Sequence, residues 1–285
     1  MQIIESKDYE KIKEAVFKYG GVQTSIYNAL RSSQSSSPYY NKNNNAYCYI
    51  GTEKPNHDVV IVGWDDSYSK DNFNTDLDGD GAFICQNSWG DNFGENGFFY
   101  ISYYDTNIGT HNVVYTDIEN TDNYDHIYQS DLCGWVGQLG YNKDSIYGAN
   151  VYTAEGNETL MAASFYATGK DSQYELYVVR QFEDETSLEK MIPVASGKLG
   201  NAGYYTVDFN QGIEVDAGER YAVVLHIITP GSVHPMAIEY AADEATENVD
   251  LDDGESYISA NGSKWVSVDT VEKSNLCIKA FSDNR

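Results

Sequence analysis

GAFICQNSWGDNFGENGFFYIS, running from Gly81 to Ser102, sets two short apolar strands on either side of a turn-rich segment. Asn87-Ser88-Trp89-Gly90 ends the first strand. Well upstream, Asn56-His57-Asp58 opens another apolar run, Val59-Val60-Ile61-Val62-Gly63-Trp64. A His at one strand start can therefore face an Asn at the end of a neighbouring strand. An imidazole paired with an amide that orients it points to acid–base chemistry.

Composition limits what surrounds this pair. The 285 residues suffice for two cores. Tyr occupies 25 positions and Pro only 5, a usage that favours sheets. Acidic residues outnumber basic ones 44 to 18, for a net charge of -26. Such a chain repels a phosphate backbone, which excludes nucleic acid as a partner. No run of about 18 apolar residues exists, so no transmembrane segment is expected. The opening MQIIESKDYEKIK lacks the apolar core of a secretory signal. Cys48, Cys85, Cys133 and Cys277 show neither paired nor metal-like spacing and read as free, mostly buried thiols.

Ile12, Ala15, Val16 and Tyr19 recur at helical spacing, with Asp8 as cap and Gly20-Gly21 as stop, and predict one amphipathic helix. Val22 to Tyr27 reads as a strand and Arg31 to Asn45 as an exposed loop. Between the His and Asn strands, Asp76-Leu77-Asp78-Gly79-Asp80-Gly81 imitates half of a calcium loop. Asn87 stands where the closing Glu belongs, so a solvated insertion is the preferred reading and no metal or cofactor is assigned. From about Ile118 onward only alternating strands remain, such as Tyr174 to Val179 and Tyr204 to Phe209. They are separated by turn signals such as Gly156-Asn157 and Asn261-Gly262, which suggests a sandwich. Ala241 to Glu255 carries carboxylates and no basic side chain, the composition of a solvated loop.

Asn56 to Trp64, and Gln86 to Gly90 followed by Phe93-Gly94-Glu95-Asn96-Gly97-Phe98, resemble the His and Asn motifs of papain-like cysteine peptidases. The opening helix with Gly20-Gly21-Val22-Gln23 resembles the segment that begins the second half of that fold. The remainder is similar to the lectin-like sandwich that follows the peptidase domain in some bacterial cell-surface members. Asn112 to Ile118, Gly148 to Ala154 and Cys277 to Phe281 carry that second likeness. The resemblance implies a mainly β protein with one N-terminal helix, in which a β-barrel-like half of a papain fold (residues 1–117) precedes an all-β sandwich (residues 118–285). It also implies an extracellular or cell-surface location.

In that family the reaction is peptide-bond hydrolysis by a Cys-His-Asn set. His57 would be base and acid, Asn87 would fix its tautomer and rotation, and Trp89 would shield their hydrogen bond. The family's Cys lies about 130 to 150 residues before the His, which falls ahead of Met1, and the oxyanion Gln goes with it. Cys85 sits in an apolar run that reads as core, where a thiol is inert. Cys133-Gly134-Trp135 follows the His and belongs to the second domain. Three expectations follow: the nucleophile is missing, the chain alone is inactive, and Met1 need not be the true start. The other reading is a non-catalytic adhesion or carbohydrate-binding protein that keeps a peptidase relic.

The expected partners are a peptide or protein substrate and the missing N-terminal half, which would cover an otherwise exposed apolar face. A glycan at residues 118–285 is left open. His226 reads as a satisfied sheet residue, while His111, His126 and His234 stand alone without metal spacing.

Overall fold

The computed structural model describes residues 1–285 apart from the side chain of Asp269. The chain divides into two compact units, Met1–Ile118 and Glu119–Arg285.

The first unit contains β1 (Gln2–Ile4), α1 (Tyr9–Tyr19), β2 (Val22–Ile26), β3 (Tyr40–Asn41), β4 (Ala46–Tyr47), β5 (His57–Asp65), β6 (Ala82–Gln86), β7 (Phe98–Ser102) and β8 (Thr110–Val114). Helix α1 forms where the apolar spacing put it. The Asp8 carboxylate accepts the Lys11 N–H, and Gly20, at φ 92°, turns the chain out while its N–H bonds to the Val16 carbonyl. Ile12, Ala15 and Val16 face the core. Strand β2 alternates as a half-buried strand should, with Val22, Thr24 and Ile26 inward. Val22 and Ile26 pack with Val59, Ile61, Phe83, Phe99 and Ile101 from the sheet. Each fully buried one contributes about 1.5–3 kcal/mol relative to exposure.

Strand order within this unit is β3-β4-β7-β6-β5-β2-β8-β1, and all pairings are antiparallel except β4 with β7. Among the described residues β3 pairs only with β4, so the sheet stays open at that edge. The expected β-barrel-like half is therefore corrected to an open sheet. The physical reason is that β3 and β4 are two residues each, too short to carry the tilt and stagger that closure demands.

The insertion between β5 and β6 is less solvated than its composition suggests. Phe73 and Leu77 are buried with Ala46, Cys48 and Ala82 in a satellite core, and Asp80 Oδ1 accepts the Lys70 N–H at 2.9 Å. A second feature was not legible beforehand. Buried Asp105 accepts N–H groups from Tyr49 (2.8 Å), Asn107 (2.9 Å) and Ile108 (2.9 Å), and Lys7 Nζ donates to the Asp105 carbonyl at 2.9 Å. Burial pushes the Asp105 carboxyl above its usual range, with those three donors opposing it.

The second unit is an all-β sandwich. One sheet runs Ile192–Leu199, Ser172–Val179, Arg220–Ile228, Ser145–Thr153, Glu255–Ser259 and Val266–Ser267. The other layer runs Gly203–Val215, Glu158–Ala167, Ile278–Asn284 and His126–Tyr128, and a small sheet joins Gly137–Leu139, Met236–Glu239 and Asn275–Leu276. Leu160, Phe165, Leu176, Val223, Leu225 and Ile278 interleave from the two layers to form the core. His226 is satisfied on its strand, with Nδ1 2.7 Å from Glu175 Oε2 and Nε2 2.9 Å from Ser145 Oγ. No helix among the described residues is long and apolar enough to cross a membrane.

Candidate active site

The β5–β6 pairing places Val60 opposite Gln86, so Asn87, the next residue, emerges level with Val59. His57 lies two residues further along β5, on the same side of the pleat as Val59. Its Nε2 reaches Asn87 Oδ1 at 2.9 Å. Asn87 is held in turn: its own N–H bonds to the Gly97 carbonyl at 3.0 Å, and its Oδ1 also accepts the Ser88 N–H at 2.8 Å.

That last bond decides the electronics of the pair. An N–H can donate only to the amide oxygen, so the Asn87 atom facing His57 is the oxygen. An oxygen accepts, so His57 Nε2 must carry a proton, and in the neutral ring the lone pair falls on Nδ1. The tautomer is fixed by a backbone N–H one residue from the amide.

Asn87 is buried and His57 half-buried. The Trp89 ring lies 5.5 Å from the His57 ring, centroid to centroid, and meets Phe93 edge-on at 5.1 Å. Phe93 continues into the core through Phe99 and Tyr40. The loop that carries Asn87 and Trp89 depends on Gly94, at φ 60°, where a Cβ would fall 2.0 Å from the Phe98 carbonyl oxygen.

His57 forms one wall of an open cleft lined also by Ser25, Lys54, Asn56, Asp58 and His111. Asp58 accepts Ser25 Oγ–H at 2.7 Å and Gln23 Nε2–H at 3.3 Å. Sequence reading missed this cleft and treated His111 as isolated. Only the β2–β8 pairing, with Ser25 opposite Thr110, brings it near.

All four cysteines are free thiols. Cys48, Cys85 and Cys277 are buried, and burial pushes all three thiols up, Cys48 to about 12. Cys133 is exposed in the second unit, and desolvation, reinforced by Glu239, raises its thiol. Among the described residues no group of three or more His, Cys, Asp or Glu side chains is placed to hold a metal ion.

Residues 127–282, more than half of the chain, match the family model described as lectin like domain. The chain belongs to the lectin-like domain family. Residues 1–118 match the model for papain family cysteine protease. A cysteine-peptidase domain followed by a lectin-like domain is thus the organisation of the chain. Two solved structures resemble it over nearly its whole length. The first is a clostridial cysteine protease, Cwp84, in a Cys-to-Ala form after propeptide cleavage. It is 28% identical with a TM-score of 0.86, and the match covers 99% of this chain and 70% of that one. The second comprises the cysteine protease and lectin-like domains of Cwp84, a surface-layer-associated protein of Clostridium difficile. It is 26% identical with a TM-score of 0.80, and the match covers 100% of this chain and 64% of that one. No curated protein matches the sequence.

These matches correct the expectation that the nucleophile is missing from this chain, and with it the expectations of an inactive chain and of an adhesion protein carrying a relic. A domain of the papain family, aligned over essentially the whole chain with a cysteine protease, argues for a retained catalytic Cys. The physical reason is that a catalytic set is assembled in space from distant parts of a polypeptide. Sequence spacing from the His motif therefore does not decide where the thiol comes from. The cell-surface location expected from the resemblance is borne out by the whole-chain match to a surface-layer-associated protein.

Proposed function

We propose that this chain contributes His57 and Asn87 to a cysteine peptidase that hydrolyses peptide bonds of protein substrates at the cell surface. The observation that carries the reading is the 2.9 Å contact from His57 Nε2 to Asn87 Oδ1, which leaves Nδ1 unengaged by Asn87 on a residue that lines an open cleft. A cysteine thiol presented to Nδ1 gives up its proton and attacks the substrate carbonyl as thiolate. The His57 imidazolium then protonates the departing amine, and water, deprotonated by the same Nδ1, resolves the thioester. Asn87 accepts from Nε2–H throughout, so the ring keeps its orientation as its charge changes. Trp89 covers that bond and limits competition from water.

Residues 1–117 act as the catalytic portion. Residues 118–285 act as a module that binds a surface glycan and holds the peptidase near its substrate.

The test is hydrolysis of a fluorogenic peptide by the intact enzyme. His57→Ala should lower kcat/KM by about 10³-fold or more. An unchanged rate would remove His57 from the mechanism. For the second portion, a glycan array probed with the chain should show selective binding, and a uniformly blank array would reduce it to a spacer.

A further inference from the structure

The cleft beside His57 holds two exposed cationic or donor side chains that have no partner among the described residues. Lys54 and the His111 imidazole make no hydrogen bond or ion pair with any described residue. Elsewhere in the unit Lys7 is engaged on the Asp105 and Ile108 carbonyls, Lys11 with Asp8 and Lys13 with Asp66, whereas the Lys42 and Lys70 side chains are also without a partner among the described residues but do not line this cleft. His111 is also held at φ 51°, a left-handed conformation that a non-glycine side chain adopts at a cost. In a chain of net charge -26, unpartnered donors gathered at one wall of the proposed catalytic His stand out.

We propose that this cleft is a subsite for an acidic side chain of the substrate, with Lys54 and His111 as the residues that select it. The inference rests on the peptidase reading above and specifies what that peptidase prefers. Asp58 also lines the cleft, but its carboxylate already accepts from Ser25 Oγ and Gln23 Nε2, so it is directed at the β2 wall. A carboxylate entering the cleft meets the Lys54 ammonium and an imidazole that offers a donor in either protonation state. The distant acidic surface does not cancel this, because at physiological salt the Debye length is about 8 Å and contact partners dominate.

The experiment uses the intact enzyme and a positional set of fluorogenic peptides in which one site at a time is Glu, Gln or Lys. One site should show kcat/KM in the order Glu, Gln, Lys, with Glu over Lys by about tenfold. Lys54→Glu should reverse the order at that site and leave the ratios at other sites unchanged. His111→Ala should shrink the Glu preference without reversing it, and Asp58→Asn should enlarge it. Equal rates for the three residues at every site would overturn the inference while leaving the peptidase reading intact. So would a Glu preference that survives both Lys54→Glu and His111→Ala. If hydrolysis persists in His57→Ala, or no peptide is cut at all, the peptidase reading fails and this inference falls with it.

Discussion

His57 Nε2 and Asn87 Oδ1 stand 2.9 Å apart across the β5–β6 pair, and the Ser88 N–H, 2.8 Å from the same oxygen, fixes which of them donates. The imidazole is thereby held in one tautomer with Nδ1 directed away from the amide. The contact needs no side chain from the second unit.

If Asn87 orients the ring, its removal costs rate more than binding. Asn87→Ala should lower kcat by about 10²-fold with KM changed much less, measured by steady-state hydrolysis of a peptide substrate. A fall in KM affinity alone, with kcat intact, would make Asn87 a substrate contact instead.

Gly94→Ala tests the loop that presents Asn87 and Trp89. A Cβ at φ 60° and 2.0 Å from the Phe98 carbonyl oxygen cannot be accommodated without moving the backbone. Destabilisation of about 2–3 kcal/mol is expected by urea denaturation. Wild-type stability in the variant would show that the loop readjusts freely.

Asp105→Ala removes one carboxylate from three buried N–H donors at once. Leaving those donors unpaired should cost about 3 kcal/mol or more, read as a lower denaturation midpoint of the first unit. A loss under about 0.5 kcal/mol would mean that water replaces the carboxylate.

Acid should weaken the second unit through two glutamates. At Glu158 burial opposes the charge, but the Ser282 and Tyr128 hydroxyls and the Gly156 N–H outweigh it. At Glu219 burial is outweighed by a bidentate bond from Arg180, at 2.9 and 2.6 Å. Both carboxyls are therefore held below the ordinary glutamate value of 4.5. A folded pKa below the unfolded one gives stability that is present above the unfolded value and lost as pH falls through the folded one. Hydrogen exchange of the strand Arg220–Ile228 should thus be steady from neutral pH to about 5, after correction for intrinsic rates, and its protection should fall below about 4.5. Glu219→Gln should flatten part of that fall. Protection independent of pH down to 3 would show that neither carboxylate supports the fold.

The sequence by itself determined the local elements and the residue types of the site. Helical spacing with an Asp cap and a Gly stop could form only one kind of element, and α1 spans Tyr9–Tyr19. Strict alternation along Val22 to Ile26 fixed which side faces inward. The flanking motifs brought attention to His57 and Asn87, and the two side chains are in contact. Tertiary structure alone decided that the first sheet stays open and that Phe73 and Leu77 anchor an insertion which reads as solvated. It also decided that Asp105 gathers three N–H groups and that His111 shares a cleft with His57. These outcomes depend on which strands pair across long separations, as Ser25 does with Thr110. Pairing of that kind is selected by the summed packing of whole sheet faces and leaves no periodicity in the neighbourhood of either residue.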